Sequence, residues 1–317
     1  MIMSLPPFDL ARPRTVAEAC ALLADADTEA IAGGTQLLSA MKNRTRAPRR
    51  LVDLASISGL DSIDYRATRG LTIGARVTLA HLAAHPDVLR HYVVISEAAR
   101  LVATPQIQSM ATIAGNLCQD TCCLYVDRAL EQRDALGPCL KLDGDICHVV
   151  PGSDHCWANY ASDLAPVLIA LGATVTIATR VGEQRRALET IFSGLGEQPI
   201  ALGRGEFIIG IQIPPPAPHS GAAYLKLRRR GSLEYPLLGV AASVTGTKMI
   251  VVLTGVDRGP LIVEGTSIED LAKSASRRVH PVKNAFGYGP NYRMRIIKPF
   301  VTRAVRAAIA RAEVRCD

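Results

Sequence analysis

The sequence lacks the features of membrane and secreted proteins. None of its apolar runs approaches 18 residues, so we expect no membrane-spanning helix and no membrane partner. The opening residues, MIMSLPPFDLARPR, have no apolar core of the kind found in secretory signals. Together these two absences predict a cytoplasmic protein.

A large excess of charge is lacking as well. Lys and Arg number 36 against 29 Asp and Glu, and a net charge of +7 is small for 317 residues. The basic residues are dispersed, apart from a run at 226–230 and the last helical segment, so nucleic acid is not an expected partner. The 48% of hydrophobic residues excludes disorder for most of the chain, and the length predicts two domains or one large domain.

Cysteines are too few for a disulfide scaffold, yet they are clustered. The chain has eight, and a cytoplasmic protein keeps them as thiols. Cys20 and Cys316 stand alone near the two ends. The other six lie close together in sequence: Cys118, Cys122, Cys123, Cys139, Cys147 and Cys156. Clustered thiols in a reducing compartment indicate a metal or redox site.

Secondary-structure patterns divide the chain near residue 217. A small unit that alternates strands and helices occupies about residues 1–60. Residues 61–216 mix strands with short helices, and Pro214–Pro216 ends this region because proline cannot donate to a β-ladder.

The last region, residues 217–317, predicts strands followed by helices. The strands are expected at 222–227, 237–244 and 249–253, and the helices at 268–275 and 298–312. Strands followed by helices indicate an α+β domain in which the helices cover one face of a sheet.

A glycine-rich turn lies between a predicted strand and a predicted helix. The residues Ala32-Gly33-Gly34-Thr35-Gln36 would let the backbone approach a pyrophosphate, and a helix that begins there offers free N–H donors. The pattern is not GxGxxG, so it does not support a Rossmann fold. An ordinary tight turn is the alternative.

Two further polar elements accompany this turn. The loop at 112–116 (Thr-Ile-Ala-Gly-Asn) combines small residues with polar side chains, and Ser162-Asp163-Leu-Ala-Pro opens a helix. Asp163 has two possible roles. It could cap that helix, or it could accept hydrogen bonds from ribose or ribityl hydroxyls.

The segment between Thr121 and Tyr160 has poor periodicity and several Gly and Pro residues. We therefore expect a long loop, and such loops inside compact domains are usually functional. Four of its cysteines could bind a metal that holds it together: Cys123, Cys139, Cys147 and Cys156. Their spacing matches neither a zinc ribbon nor a compact ferredoxin motif. Zinc, an iron–sulfur cluster and buried unligated thiols all remain open.

Other side chains compete for the same role. Cys118 and Cys122 are alternative ligands, and Cys122 and Cys123 are alternatives to each other because adjacent cysteines rarely bind one centre together. His148 and His155 are weaker alternatives, since four thiols are already present.

The order of motifs resembles a known family. AGGTQLL at 32–38, TIAGNL at 112–117, SDLAP at 162–166 and YLKLRRRG at 224–231 are similar to motifs in the FAD-binding subunits of molybdenum hydroxylases, among them xanthine and carbon monoxide dehydrogenases. The resemblance covers essentially the whole chain, although the segment 286–293 matches only loosely.

The resemblance implies a fold and a flavin site. The fold would be a two-part FAD domain of the vanillyl-alcohol-oxidase type at 1–216, with subdomains of about 1–60 and 61–216. A C-terminal α/β domain of the molybdenum-hydroxylase flavoprotein type would follow at 217–317. The implied FAD-binding residues are Ile31, Ala32, Gly33, Gly34, Thr35, Gln36, Leu37, Ala111, Thr112, Gly115, Asn116, Gln119, Ser162, Asp163 and Lys226. Lys226 would approach the flavin ring, and a solvated lysine on an edge strand is its alternative.

The cysteine segment is an insertion relative to most of that family. Residues 118–160 separate Asn116 from Asp163, which in most members lie close together in sequence. The insertion resembles that of the beta subunit of 4-hydroxybenzoyl-CoA reductases, which holds a 4Fe–4S cluster. The resemblance implies that this chain binds such a cluster through Cys123, Cys139, Cys147 and Cys156.

The same resemblance implies partners and an activity. The partners would be a large subunit with the molybdenum cofactor, a small subunit with 2Fe–2S clusters and a ferredoxin-like electron donor, assembled as a dimer of heterotrimers. Electrons would pass through this chain to molybdenum, where 4-hydroxybenzoyl-CoA is reduced to benzoyl-CoA. One alternative is the FAD subunit of a hydroxylase or dehydrogenase that works in the oxidative direction. Another is a non-catalytic flavin- or zinc-binding module.

Overall fold

The computed structural model describes residues 4–231, 234–283 and 288–314. Cys316 and part of the loosely matching segment 286–293 lie outside the described residues.

The described residues form three β-sheets with interspersed helices, which confirms a mixed α and β fold. The strands are β1 (Asp9–Ala11), β2 (Thr28–Ile31), β3 (Arg50–Asp53), β4 (Ile63–Arg66), β5 (Gly70–Gly74), β6 (Thr174–Thr179), β7 (Gly182–Ala187), β8 (Phe207–Ile213), β9 (Ser220–Leu227), β10 (Leu238–Thr245), β11 (Lys248–Thr254) and β12 (Leu261–Gly265). The helices are α1 (Val16–Leu23), α2 (Leu37–Lys42), α3 (Leu79–Ala84), α4 (Pro86–His91), α5 (Val93–Leu101), α6 (Pro105–Gln108), α7 (Ile113–Leu117), α8 (Leu130–Leu136), α9 (Leu164–Ala170), α10 (Ile268–Arg278) and α11 (Pro290–Val314).

The first sheet is small and parallel, in the order β1-β3-β2. Parallel neighbours need crossover connections, and α1 and α2 supply them. Apolar residues at helical spacing, Ala19, Cys20 and Leu23, bury one face of α1 in a core that also contains Val52 of β3. The Gly33 turn therefore begins where β2 ends and leads into α2.

The second sheet is antiparallel and forms the largest core. Its order is β4-β5-β8-β6-β7, and buried side chains of β5, β6 and β8 pack with those of α3, α5 and α9. Every residue of α9 is buried, since its sequence LAPVLIA is apolar throughout. Ser162 and Asp163 enter this core at the start of α9.

The third sheet is antiparallel in the order β12-β11-β10-β9. Because successive side chains on a strand point to opposite faces, Val240 and Ala242 pack with α10 and α11, whereas Tyr224 and Ala241 pack in the same core as α9. The two helices of the last region, α10 and α11, cover one face of this sheet, as the sequence predicts. However, α11 begins at Pro290 and not at residue 298, because the buried side chains of Arg293 and Ile297 extend its inner face by two turns.

The cysteine segment differs in part from the structureless loop that the sequence predicts. It contains the short helix α8, and its two ends are joined by a β-bridge between Cys122 and Asn159. The bridge exchanges two backbone hydrogen bonds, of 3.0 and 2.9 Å. The cysteine segment thus leaves and re-enters the rest of residues 1–216 at one place.

Among the described residues, no helix combines the length and the apolar character that a bilayer crossing requires.

Candidate functional site

The Gly33 turn presses against the loop that precedes α7. A Cβ atom on Gly33 would overlap the carbonyl oxygen of Met110, so the backbones of the two loops touch and only glycine fits there. Gly34 adopts a left-handed backbone with φ of 68°, which also favours glycine. The structure therefore brings the predicted residues at 31–37 beside Ala111 and Thr112.

Gln36 links this turn to the start of the insertion. Its side-chain oxygen accepts a hydrogen bond of 2.9 Å from the backbone N–H of Asp120. The side chain of Gln36 therefore bonds a distant segment and makes no capping bond to α2, although Gln36 is the N-terminal cap residue of that helix.

The Thr112–Asn116 motif forms the start of α7. The Thr112 hydroxyl caps this helix by accepting a 3.2 Å bond from the N–H of Gly115. The side-chain oxygen of Asn116 accepts a bond of 2.7 Å from the hydroxyl of Ser162. This bond brings together two predicted elements that are 46 positions apart in sequence.

Among the described residues, Gln119 has a buried side-chain polar atom without a hydrogen-bond partner. Its side-chain oxygen accepts a 3.4 Å bond from Asn116, but its Nε2 group lies buried without one. A buried donor left unpaired is costly. Gln119 precedes Asp120, whose N–H bonds Gln36 in the glycine turn, and such a donor fits a ligand that carries many acceptor oxygens, as FAD does.

Asp163 and Lys226 form a buried ion pair with an Nζ–Oδ2 distance of 2.8 Å. The hydroxyl of Tyr224 donates to the other carboxylate oxygen at 2.7 Å, and Lys226 also donates to the carbonyl of Leu101. Burial raises the pKa of Asp163, and the neighbouring Lys226 cation opposes that rise.

This arrangement corrects two of the alternatives considered from sequence. The carboxylate of Asp163 does not cap α9, because Ser162 accepts the bond from the N–H of Ala165 instead. Lys226 is not a solvated edge-strand lysine, since only 1% of its side chain is exposed. The two residues therefore act as a pair. A ligand beside them would meet a lysine that already has a carboxylate partner.

The four proposed cysteine ligands line one small cavity. Each is between 5% and 8% exposed. The cavity has a volume of about 10 Å³, and it is lined by Cys123, Tyr125, Cys139, Leu140, Lys141, Cys147, His148, Val149, Cys156 and Ala158. The four cysteine side chains thus line one space although they are up to 33 positions apart in sequence.

Burial and nearby backbone N–H groups act in opposite directions on the pKa of two of these thiols. Burial raises the pKa of Cys123 to about 12 and that of Cys156 to about 11. Backbone N–H groups oppose this, with Val126 donating to the sulfur of Cys123 at 3.3 Å and Ala158 to that of Cys156 at 3.4 Å. Sulfurs that are buried yet receive N–H bonds suit thiolates neutralised by a metal centre.

Within the described ranges, no three His, Cys, Asp or Glu side chains converge closely enough to be ligands of one ion. In a four-iron cluster each thiolate binds a different iron, so the sulfurs stand farther apart than around zinc. Four buried thiols on one cavity are a donor set that zinc and iron–sulfur centres share.

The competing ligands lie in different places. Cys118 packs against the main core of the FAD domain, and the Cys122 thiol lies 3.7 Å from the carbonyl of Asn159. His148 lines the cavity, with its ring stacked on Tyr125. His155 lies beside Trp157 and does not line the cavity.

Sequence reasoning missed Lys141, which also lines the cavity. Its ammonium group is within hydrogen-bond distance of Asp120, Thr121 and the carbonyl of Gly196. Only its place two residues after Cys139 could have drawn attention to it, and that position says nothing about distant partners.

Comparison with known proteins identifies relatives of the chain. Residues 6–216 match the family described as the FAD binding domain in molybdopterin dehydrogenase. Over 223 residues the chain is 37% identical to the aldehyde oxidoreductase FAD-binding subunit PaoB of Escherichia coli (strain K12), an alignment that covers 68% of this chain and 70% of that protein. Over 323 residues it is 29% identical to the carbon monoxide dehydrogenase medium chain of Afipia carboxidovorans, with 96% and 98% covered.

A solved structure shows the same overall fold. The reconstituted CO dehydrogenase from Oligotropha carboxidovorans contains a chain that superposes with a TM-score of 0.78 at 26% identity, covering 98% of this chain and 100% of that one. The family match spans more than half of the chain, and PaoB exceeds 30% identity over two thirds of it. The chain therefore belongs to the family of FAD-binding subunits of molybdenum hydroxylases, to which xanthine and carbon monoxide dehydrogenases also belong.

Proposed function

We propose that this chain is the FAD-carrying electron-transfer subunit of a molybdenum hydroxylase complex. Its partners are a large subunit with the molybdenum cofactor and a small subunit with 2Fe–2S clusters, arranged as a dimer of heterotrimers. The observation that carries the proposal is the contact of the Gly33 and Met110 loops, together with the buried Gln119 donor that has no partner among the described residues. The similarity to a carbon monoxide dehydrogenase medium chain over nearly its whole length supports the same subunit role.

The chain's own residues would bind and orient the flavin nucleotide. The backbone of 32–37 would hold the pyrophosphate, with Thr112, Gly115 and Asn116 on the opposite side. Gln119 would donate its free N–H to an acceptor oxygen, and Lys226 would hold a positive charge beside the ring. Bound FAD supplies a centre that takes up and releases electrons one or two at a time.

We further propose that Cys123, Cys139, Cys147 and Cys156 hold a 4Fe–4S cluster. Their burial in one cavity and the N–H donors to two of the sulfurs support this set. The position of Cys123 on the cavity favours it over Cys122, which does not line it. A bound cluster supplies one-electron exchange, and the chain's part is to exclude water and hold the thiolates apart.

The oxidative direction is the first candidate for the complex. The relatives named above act on an aldehyde and on carbon monoxide according to their names, and these substrates are oxidised. In this arrangement the substrate lies on the molybdenum subunit, and this chain receives electrons from the partner clusters.

The reductive direction is the second candidate, and the cysteine insertion favours it. A cluster ligated only by thiolates can have a low potential, so it could accept electrons from a ferredoxin-like donor. The complex would then remove the phenolic hydroxyl of 4-hydroxybenzoyl-CoA and release benzoyl-CoA and water. The relatives named above support the family, and the support for the reductive activity comes from the cysteine insertion.

The subunit role can be tested by assembly. We expect the chain, produced together with its two partner subunits, to purify as one complex with one FAD per copy of this chain. A complex that assembles fully and contains no FAD would contradict the proposed role.

The direction can be tested on the same complex by two assays. With an aromatic aldehyde and an oxidising dye, the first candidate predicts formation of the carboxylic acid. With 4-hydroxybenzoyl-CoA and a reduced low-potential dye, the second predicts benzoyl-CoA. Turnover in only one assay selects the direction, and acid formation without benzoyl-CoA rejects the reductive proposal.

A further inference from the structure

The ammonium group of Lys141 is buried and fully hydrogen-bonded. Its side chain is 6% exposed, and Nζ donates to the Asp120 carboxylate at 2.6 Å. It also donates to the hydroxyl of Thr121 at 2.7 Å and to the carbonyl of Gly196 at 2.9 Å. An ammonium group has three donors, so these three acceptors use all of them.

These bonds gather the segments that carry the cysteines. Lys141 itself lies between Cys139 and Cys147, and Thr121 lies two residues before Cys123. Gly196, which supplies the third acceptor, contacts the backbone of the last cysteine. A Cβ on Gly196 would overlap the carbonyl oxygen of Cys156. One side chain therefore holds together the backbone around the whole cavity.

The same ion pair reaches the flavin-binding loop. The backbone N–H of Asp120 donates to the side chain of Gln36 at 2.9 Å. The second carboxylate oxygen of Asp120 accepts from Arg46 at 3.3 Å, and Arg46 also pairs with Glu29 on β2. Asp120 is thus bonded to Lys141 on the insertion side and to Gln36 and Arg46 on the flavin side.

We propose that Lys141 is a positioning residue through which the content of the cysteine cavity controls FAD affinity. This inference rests on the proposed function, since it requires a metal centre at the four cysteines. A bound centre orders the insertion and keeps Lys141 on Asp120, which holds Gln36 and the Gly33 turn in place. Without the centre, part of the FAD binding energy is spent on ordering these residues.

The coupling acts in both directions. If the metal centre strengthens FAD binding by some factor, FAD must strengthen retention of the metal centre by the same factor. A hydrogen bond to a charged group contributes enough to change an equilibrium constant by roughly tenfold or more. We therefore expect a roughly tenfold loss of FAD affinity when iron is removed from the wild-type chain.

The test compares FAD affinity with and without iron in the full chain. Both forms are prepared without oxygen, the second by chelation, and FAD binding is followed by flavin fluorescence. In Lys141→Met we expect the two affinities to become equal. Lys42→Met is the matched control, because Lys42 is exposed at the end of α2, and it should keep the wild-type difference.

A second variant guards against misfolding of the first. Asp120→Asn removes the charge from the other side of the ion pair and should also abolish the difference between the two affinities. If either folded variant keeps the wild-type difference, the positioning role is wrong and the cluster proposal stands. If the wild-type chain holds no iron at all, the cluster proposal fails and this inference fails with it.

Discussion

The carboxylate of Asp163, at the start of α9, and the ammonium of Lys226, on β9, form an ion pair of 2.8 Å with side chains only 4% and 1% exposed. The pair joins the FAD-binding core to the third sheet. The bond from Tyr224 to the same carboxylate strengthens this junction. Lys226 therefore belongs to the proposed flavin site and also forms a structural contact between α9 and the third sheet.

Lys226→Met should destabilise the chain strongly. The substitution leaves the Asp163 carboxylate buried without its cation, and breaking a buried pair in this way costs about 3–5 kcal/mol. The free energy of unfolding, measured by urea titration of the flavin-free chain, should fall by about that amount.

A matched control exists on other strands of the same sheet. Lys248 and Glu264 also form an ion pair, but their side chains are 63% and 53% exposed, so Lys248→Met should cost only about 0–1 kcal/mol. Equal losses in Lys226→Met and Lys248→Met would show that burial of the first pair has no energetic consequence.

Gly33→Ala should weaken FAD binding sharply while the chain still folds. The added methyl overlaps the Met110 carbonyl, so one of the two loops must move away from the flavin site. Equilibrium binding of FAD should fall by roughly tenfold or more. Gly210→Ala is the control, since its Cβ would meet only the Ile73 carbonyl at 3.7 Å. Unchanged FAD affinity in Gly33→Ala would place the pyrophosphate elsewhere.

Glu234 should make a measurable part of the stability depend on acid pH. Burial acts to raise its pKa, but hydrogen bonds from the N–H groups of Arg229 and Arg230 and from the guanidinium of Arg229 outweigh this and hold the pKa below its usual value. A carboxyl with a lowered folded-state pKa stabilises the chain above its unfolded pKa of about 4.3, and this contribution is lost as the pH falls through the folded value.

The test compares the stability of Glu234→Gln and of the wild type as a function of pH. Glu234→Gln cannot titrate, so its stability should fall less steeply than that of the wild type as the pH is lowered from about 5. Parallel pH profiles for the two proteins would mean that Glu234 keeps an ordinary pKa in the folded chain.

Cys139→Ser should remove the iron and leave most of the FAD-binding capacity. Loss of one thiolate breaks the proposed ligand set, whereas the residues at 32–37 and 112–116 remain to bind FAD, with the roughly tenfold lower affinity expected of the chain without its metal centre. Cys118→Ser is the control, because Cys118 packs on the main core away from the cavity and should leave the iron content unaltered. Iron and flavin content of both purified variants give the answer. Complete loss of FAD in Cys139→Ser would place the insertion within the flavin site itself.

Local patterns in the sequence predict much of this molecule. The glycine turn after β2 and the strand-then-helix order of the last region follow from residue types at short spacing. The grouping of four cysteines could also be predicted, because clustered thiols seldom serve only as packing.

Contacts between distant segments could not be predicted in this way. The bond of Lys141 to Asp120 joins residues 21 positions apart, and that of Lys226 to Asp163 joins residues 63 apart. Neither residue type nor spacing marks such partners, since a lysine on a loop or a strand is most often solvated. The helix α8 was missed for a related reason, as its short apolar pattern is interrupted by charge and its packing depends on the folded insertion.

The central claim is that this flavin subunit carries a 4Fe–4S cluster on its cysteine insertion. The most direct test is the iron, acid-labile sulfide, zinc and FAD content of the full chain purified without oxygen. We predict roughly four iron and four sulfide per FAD, with no zinc. Stoichiometric zinc, or FAD without any metal, would contradict the account.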